Sequence, residues 1–110
     1  CTYLWTWPSP TRDGLLGACH VLEIAFVFGT QAAPMSLLTL GTEEEDALSE
    51  QVMDAWVAFA TTGDPSTATN PWPRYGADAQ ATMLIDTEWT VDKAPRPAER
   101  AVVAQWAKGI

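Results

Sequence analysis

Apolar and polar positions alternate at the start of the chain. In Thr2-Tyr3-Leu4-Trp5-Thr6-Trp7, the residues Tyr3, Trp5 and Trp7 fall on one face. Aromatic and β-branched residues at this period predict a strand, and Pro8 ends it. The turn-forming residues of Pro8 to Gly14 predict a loop, and Leu15 to His20 continues it as irregular chain. Leu22 to Phe28 carries two readings: its composition favours a strand, whereas the four-residue step from Ile24 to Phe28 permits a short helix. Gly29 closes the segment in both. Residues 30 to 41 contain Pro34 and Gly41 and read as loop with room for a helical turn.

The clearest periodicity begins at Thr42. Thr42 and Glu45 stand at capping-box spacing, and the acids Glu43 to Asp46 suit the positive end of a helix dipole, with the run as a whole expected to be solvated. Leu48, Val52, Trp56 and Phe59 or Ala60 then recur at helical spacing, with Met53 and Val57 widening the stripe. Gly63 and Pro65 form a stop signal. A loop rich in Pro, Thr, Ser and Asn follows to about residue 80. Ala81 to Asp86 alternates weakly and, with Glu88 to Val91, predicts a small hairpin. Ala98 to Lys108 predicts a second helix with Pro97 at its first turn and Val102, Val103 and Trp106 on its apolar side. One convincing main-sheet strand cannot satisfy its own backbone groups. The pattern therefore resembles a piece of a larger sheet protein.

Composition narrows the partners. The formal net charge of -8 argues against nucleic acid and against anionic membrane surfaces. No apolar run is long enough to span a bilayer, so no membrane partner is expected. The 2 cysteines, Cys1 and Cys19, exclude a disulfide-dense scaffold, and nothing in the sequence pairs them. No Cys/His cluster has zinc spacing and no calcium-loop pattern occurs, so neither metal nor cofactor is expected. The 6 tryptophans are more aromatic surface than a small lone domain covers easily, which points to packing against something else. The chain begins at Cys1 without a signal-peptide pattern; a processed start or the tail of a longer protein is expected.

The single histidine, His20, then becomes informative. It stands in Gly17-Ala18-Cys19-His20-Val21-Leu22-Glu23-Ile24-Ala25-Phe26-Val27-Phe28-Gly29, a run that resembles the segment around the catalytic histidine of type B carboxylesterases, the cholinesterase-like branch of the α/β-hydrolase superfamily. Further matches follow in order. Trp56-Val57-Ala58-Phe59-Ala60-Thr61-Thr62-Gly63-Asp64-Pro65 resembles the family's Trp-x-x-Phe-Ala-x-Thr-Gly-Asp-Pro, and Trp72-Pro73-Arg74-Tyr75 its Trp-Pro-x-Tyr. Tyr3 to Trp7 is similar to its last main-sheet strand. One position departs: the family often has glycine after the histidine, and here it is Val21.

The resemblance implies an α/β fold class, with residues 1–110 as the C-terminal portion of a single α/β-hydrolase domain, incomplete on its own. That portion comprises the last main-sheet strand, the catalytic-histidine loop, the C-terminal helices and a small hairpin. It implies a carboxylic ester hydrolase of the serine esterase type, acting on small-molecule carboxylic esters, with His20 as general base and then general acid. In α/β-hydrolases the chain order is serine, acid, histidine. No Gly-x-Ser-x-Gly occurs here, and Ser9, Ser36, Ser49 and Ser66 lie outside any such elbow. The nucleophile, the acid and the oxyanion donors are therefore expected in the remainder of the domain, and this chain alone is expected to be inactive. Glu23 stays open between a partner near the site and a structural role in helix capping or a hydrogen bond, and Cys19 reads as a buried filler. The rival reading is a non-catalytic cholinesterase-like binding or adhesion segment. A self-contained small domain is the third.

Overall fold

In the computed structural model, which describes residues 1–33 and 36–109, three strands form one mixed sheet in the order β1-β2-β3. Strand β1 spans Tyr3–Trp5, β2 spans Ala81–Ile85 and β3 spans Thr90–Lys93. β1 runs parallel to β2, with Tyr3 opposite Met83 and Trp5 opposite Ile85. β2 and β3 form the expected hairpin, with Ala81 opposite Lys93. The hairpin is thus not a separate unit: β2 is the central strand of the sheet to which β1 belongs. Sequence reading made β2 look weak because four of its five residues are buried, and burial on both faces erases alternation.

Helix α1, Leu22–Val27, resolves the ambiguous segment in favour of a helix. Gly29 at φ 64° ends it, and the Thr30 N–H reaches back to the Ala25 carbonyl at 2.8 Å. Helix α2, Glu43–Thr62, follows the predicted bounds. Its capping box is formed in full: the Thr42 hydroxyl accepts from the Glu45 N–H and the Glu45 carboxylate accepts from the Thr42 N–H. Glu45 is nevertheless not solvated. It is 1% exposed, and its carboxylate also takes the N–H groups of Leu40 and Gly41. The expectation of a fully solvated acidic start is corrected at this one residue; Glu43, Glu44 and Asp46 are exposed as expected. Gly63 at φ 79° closes α2 by donating to the Phe59 carbonyl, and Asp64 accepts from the Ser66 N–H at 2.9 Å. That backbone hydrogen bond is the main cause that holds the Asp64 carboxyl below its ordinary pKa.

The core lies between one face of the sheet and α1 and α2. Trp5, Trp7, Phe26, Leu48, Val52 and Ile85 are among its buried members. Trp5 and Trp7 both pack on Phe26, with ring centroids 4.9 Å and 5.0 Å away. Tyr3, on the same face, meets Trp56 edge-on at 5.3 Å. The predicted stripe of α2 is buried at Leu48 and Val52 but not at Phe59, Ala60 or Val57, which are exposed; Ser49 and Ala55 take the buried places instead. Helix α3, Pro97–Lys108, has no buried residue, and its apolar Val102, Val103 and Trp106 face solvent. Among the described residues, no helix is long and apolar enough to cross a membrane. Cys1 and Cys19 are both free.

Candidate active site

The loop that carries His20 is assembled from its ends inward. β1 ends at Trp5, earlier than Pro8, because the Thr6 and Trp7 N–H groups both turn onto the Ile85 carbonyl; beyond Pro8, Ser9 is pinned: its N–H donates to the Gly17 carbonyl at 3.0 Å and its buried hydroxyl to the Leu38 carbonyl at 2.7 Å. The Gly17 N–H closes a turn onto Gly14 at 3.1 Å. On the far side, Leu22 and Phe26 anchor α1 in the core with 1% and 0% exposure. Between these anchors His20 occupies a four-residue turn. The Leu22 N–H reaches the Cys19 carbonyl at 3.4 Å, which places His20 second and Val21 third. Val21 has φ 66° and ψ 3°, close to the backbone of the third residue of a type II turn, a position that favours glycine. Such a left-handed conformation costs an L-residue about 1–2 kcal/mol. His20 itself is exposed.

Glu23, one turn along, is half-buried and lines an open apolar groove with Tyr3, Ile24, Val27, Trp56 and Val57. Burial pushes the Tyr3 phenol above its ordinary pKa, and the Glu23 carboxylate adds to the effect. This Tyr3–Glu23 juxtaposition was not read from the sequence. It depends on how β1 and α1 lie in three dimensions, which a local pattern does not carry.

Among the described residues, no serine hydroxyl bonds to His20. Each of the four serines has its hydroxyl engaged elsewhere: Ser9 with Leu38, Ser36 with Thr39, Ser49 with the Phe26 carbonyl and Ser66 with the Trp72 carbonyl. Cys19 is partly buried against the core, as a filler would be. No group of three or more His, Cys, Asp or Glu residues among the described ones could hold a metal ion. The Trp-Pro-x-Tyr segment is a loop anchor. Buried Trp72 donates its indole N–H to the Thr2 carbonyl at 3.3 Å, and the Tyr75 hydroxyl receives Arg100 of α3 at 3.3 Å.

A strand running into a histidine turn, then a short helix packed beneath that strand, is an arrangement with solved counterparts. The structure of a para-nitrobenzyl esterase superimposes with a TM-score of 0.80 at 33% identity, over 90% of this chain and 20% of that one. A carboxylesterase of Geobacillus stearothermophilus superimposes at 0.72 with 31% identity, over the same shares. The architecture is that of an α/β-hydrolase fold. Residues 2–103 match the model of the carboxylesterase family, and the chain belongs to that family. The para-nitrobenzyl esterase of Bacillus subtilis is 33% identical over 99 residues, covering 89% of this chain and 20% of the relative. The acetylcholinesterase of Danio rerio is 35% identical over 89 residues, 74% of this chain and 13% of the relative. The chain thus spans about a fifth or less of the length of these relatives.

Proposed function

We propose that this chain supplies the proton-transfer histidine of a carboxylic ester hydrolase that works through an acyl-serine intermediate. His20 accepts the proton of a serine hydroxyl as that oxygen bonds to the ester carbonyl carbon. It returns the proton to the alkoxide as the ester C–O bond breaks. Water then repeats the exchange: His20 takes its proton while the hydroxyl attacks the acyl carbon, and the proton goes to the departing serine oxygen. An imidazole suits both halves because its ordinary pKa of about 6.5 makes either state accessible near neutral pH.

The observation that carries this reading is the position of His20: exposed, the only histidine, and held in a turn between buried anchors in a chain of the carboxylesterase family. Four engaged serines, a three-stranded sheet open along β1 and the share of the relatives that the chain spans support a further step. Residues 1–110 are part of a single α/β-hydrolase domain whose remainder provides the serine, the acid and the oxyanion donors. The substrates are small carboxylic esters, a class to which the name para-nitrobenzyl esterase points.

The experiment is p-nitrophenyl ester hydrolysis by the complete protein with and without His20→Ala. Loss of the general base lowers kcat by about a hundredfold or more. Retained turnover in the His20→Ala protein would falsify the role given to His20. Turnover by the 110-residue chain alone, abolished by the same substitution, would overturn the division of the domain instead.

A further inference from the structure

The turn that presents His20 is built on an unfavourable residue. Six non-glycine residues among those described have φ above zero: Arg12, Asp13, Val21, Gln80, Ala94 and Arg96. Val21 is the only β-branched one, and it is the residue bonded to His20. Crowding at Cβ makes valine among the least suited side chains for this backbone. No side-chain cap compensates it, since Val21 is the N-cap of α1 and makes no capping hydrogen bond. What holds it is the neighbouring packing: Leu22 and Phe26 are sealed in the core, and the Ile24 N–H closes on the Val21 carbonyl at 3.2 Å. Its own side chain contributes less, being 42% exposed at the edge of a shallow apolar groove.

We infer that Val21 is a positioning residue whose strained backbone sets the direction of His20 and limits how fully that pose is populated. If Val21 leaves the left-handed region, the peptide it shares with His20 turns with it and the imidazole changes direction. Core packing of α1 favours the presenting conformation, and the valine backbone opposes it. Local opening of this turn is therefore easier than opening of the helix it leads into. Glycine would remove the opposition, and asparagine, which tolerates the left-handed region, would reduce it. This inference rests on the role proposed for His20, but the behaviour of the turn can be measured without catalysis.

The test is a series in the complete protein: Val21→Gly, Val21→Asn and Val21→Ala beside the parent. Thermal stability is expected to rise in the order Val, Ala, Asn, Gly, the reverse of what a packing role for the valine side chain gives. kcat is expected to rise in the same order, by about two- to fivefold at glycine, with KM unchanged. Diethyl pyrocarbonate labels the imidazole independently of turnover, and with one histidine in these 110 residues, His20→Ala supplies the blank. Its labelling rate is expected to shift along the series. A falling stability overturns the inference, as does a rising stability with labelling and kcat both unmoved, which would leave Val21 merely structural. Stability and labelling that shift together while His20→Ala keeps full turnover would uphold the positioning of His20 and overturn its role as the base.

Discussion

The Ser49 hydroxyl donates a 2.8 Å hydrogen bond to the Phe26 carbonyl oxygen, with both residues sealed from solvent. Phe26 lies in the last turn of α1, where carbonyls have no partner within the helix. A serine in the second turn of α2 therefore completes the short helix that begins beside His20. This is why a polar residue sits in the buried stripe of α2.

Ser49→Ala is expected to destabilise the protein by about 1–3 kcal/mol, because it leaves the Phe26 carbonyl buried and unpaired. Thr61→Ala is the control. The Thr61 hydroxyl bonds the Val57 carbonyl on the exposed side of the same helix, and its loss should stay within about 0.5 kcal/mol. Urea denaturation followed by tryptophan fluorescence measures both. Equal effects would mean that the Ser49–Phe26 bond does not hold α1 in place.

Glu45 is the hub of the chain entering α2. Its carboxylate accepts from three successive backbone N–H groups, those of Leu40, Gly41 and Thr42. An amide side chain has a single acceptor oxygen and brings an N–H group that repels these donors. Glu45→Gln should therefore cost more than Thr42→Ala, whose expected loss is about 1 kcal/mol. The two capping interactions depend on one geometry, so the double substitution should cost less than the sum of the two singles. A double-mutant cycle by denaturant unfolding checks this; strict additivity would show two independent caps.

These residues also mark how far the sequence could be read. Capping is local, so the start of α2 at Thr42 and its stop at Gly63 were legible in residue spacing. Burial of Glu45 was not: it depends on the loop before the helix folding back over the carboxylate. The α1 segment stayed undecided because six residues are too few for periodicity to separate helix from strand. β2 looks marginal in sequence because a strand covered on both faces loses alternation. For α3 the apolar side was legible, whereas whether anything covers it depends on what lies beyond these residues. At the site, motif order singles out His20, but the left-handed backbone of Val21 and the shared groove of Tyr3 and Glu23 appear only in three dimensions.

Tyr3 gives the fold a dependence on alkaline pH. Its phenol is raised above the ordinary value, first by burial and second by the Glu23 carboxylate. The folded state thus keeps the proton more tightly than the unfolded state. The contribution is fully present below the unfolded pKa of about 10 and is lost as pH rises through the higher folded value. Tyr3→Phe should flatten the decline in stability above that pH, and Glu23→Gln should flatten it partly. The difference in tyrosinate absorbance titration between the parent and Tyr3→Phe reads the group directly. A Tyr3 that titrates at the unfolded value in the native protein would remove the effect.

The groove between α1 and α2 offers a test of the proposed remainder of the hydrolase domain. Ile24, Phe28 and Val57 are 48%, 72% and 64% exposed, an unusual concentration of apolar surface around Tyr3 and Trp56. Open to water, Val57→Lys would change stability by no more than about 0.5 kcal/mol. Covered by the remainder of the domain, it buries an unpaired ammonium, and a loss of several kcal/mol is expected in the complete protein. Val57→Ala should then fall between the two, because it removes apolar area without adding charge. Thermal unfolding of the complete protein and its two variants measures the order. A lysine variant as stable as the parent would mean that the groove stays in solvent, uncovered by the proposed remainder of the domain.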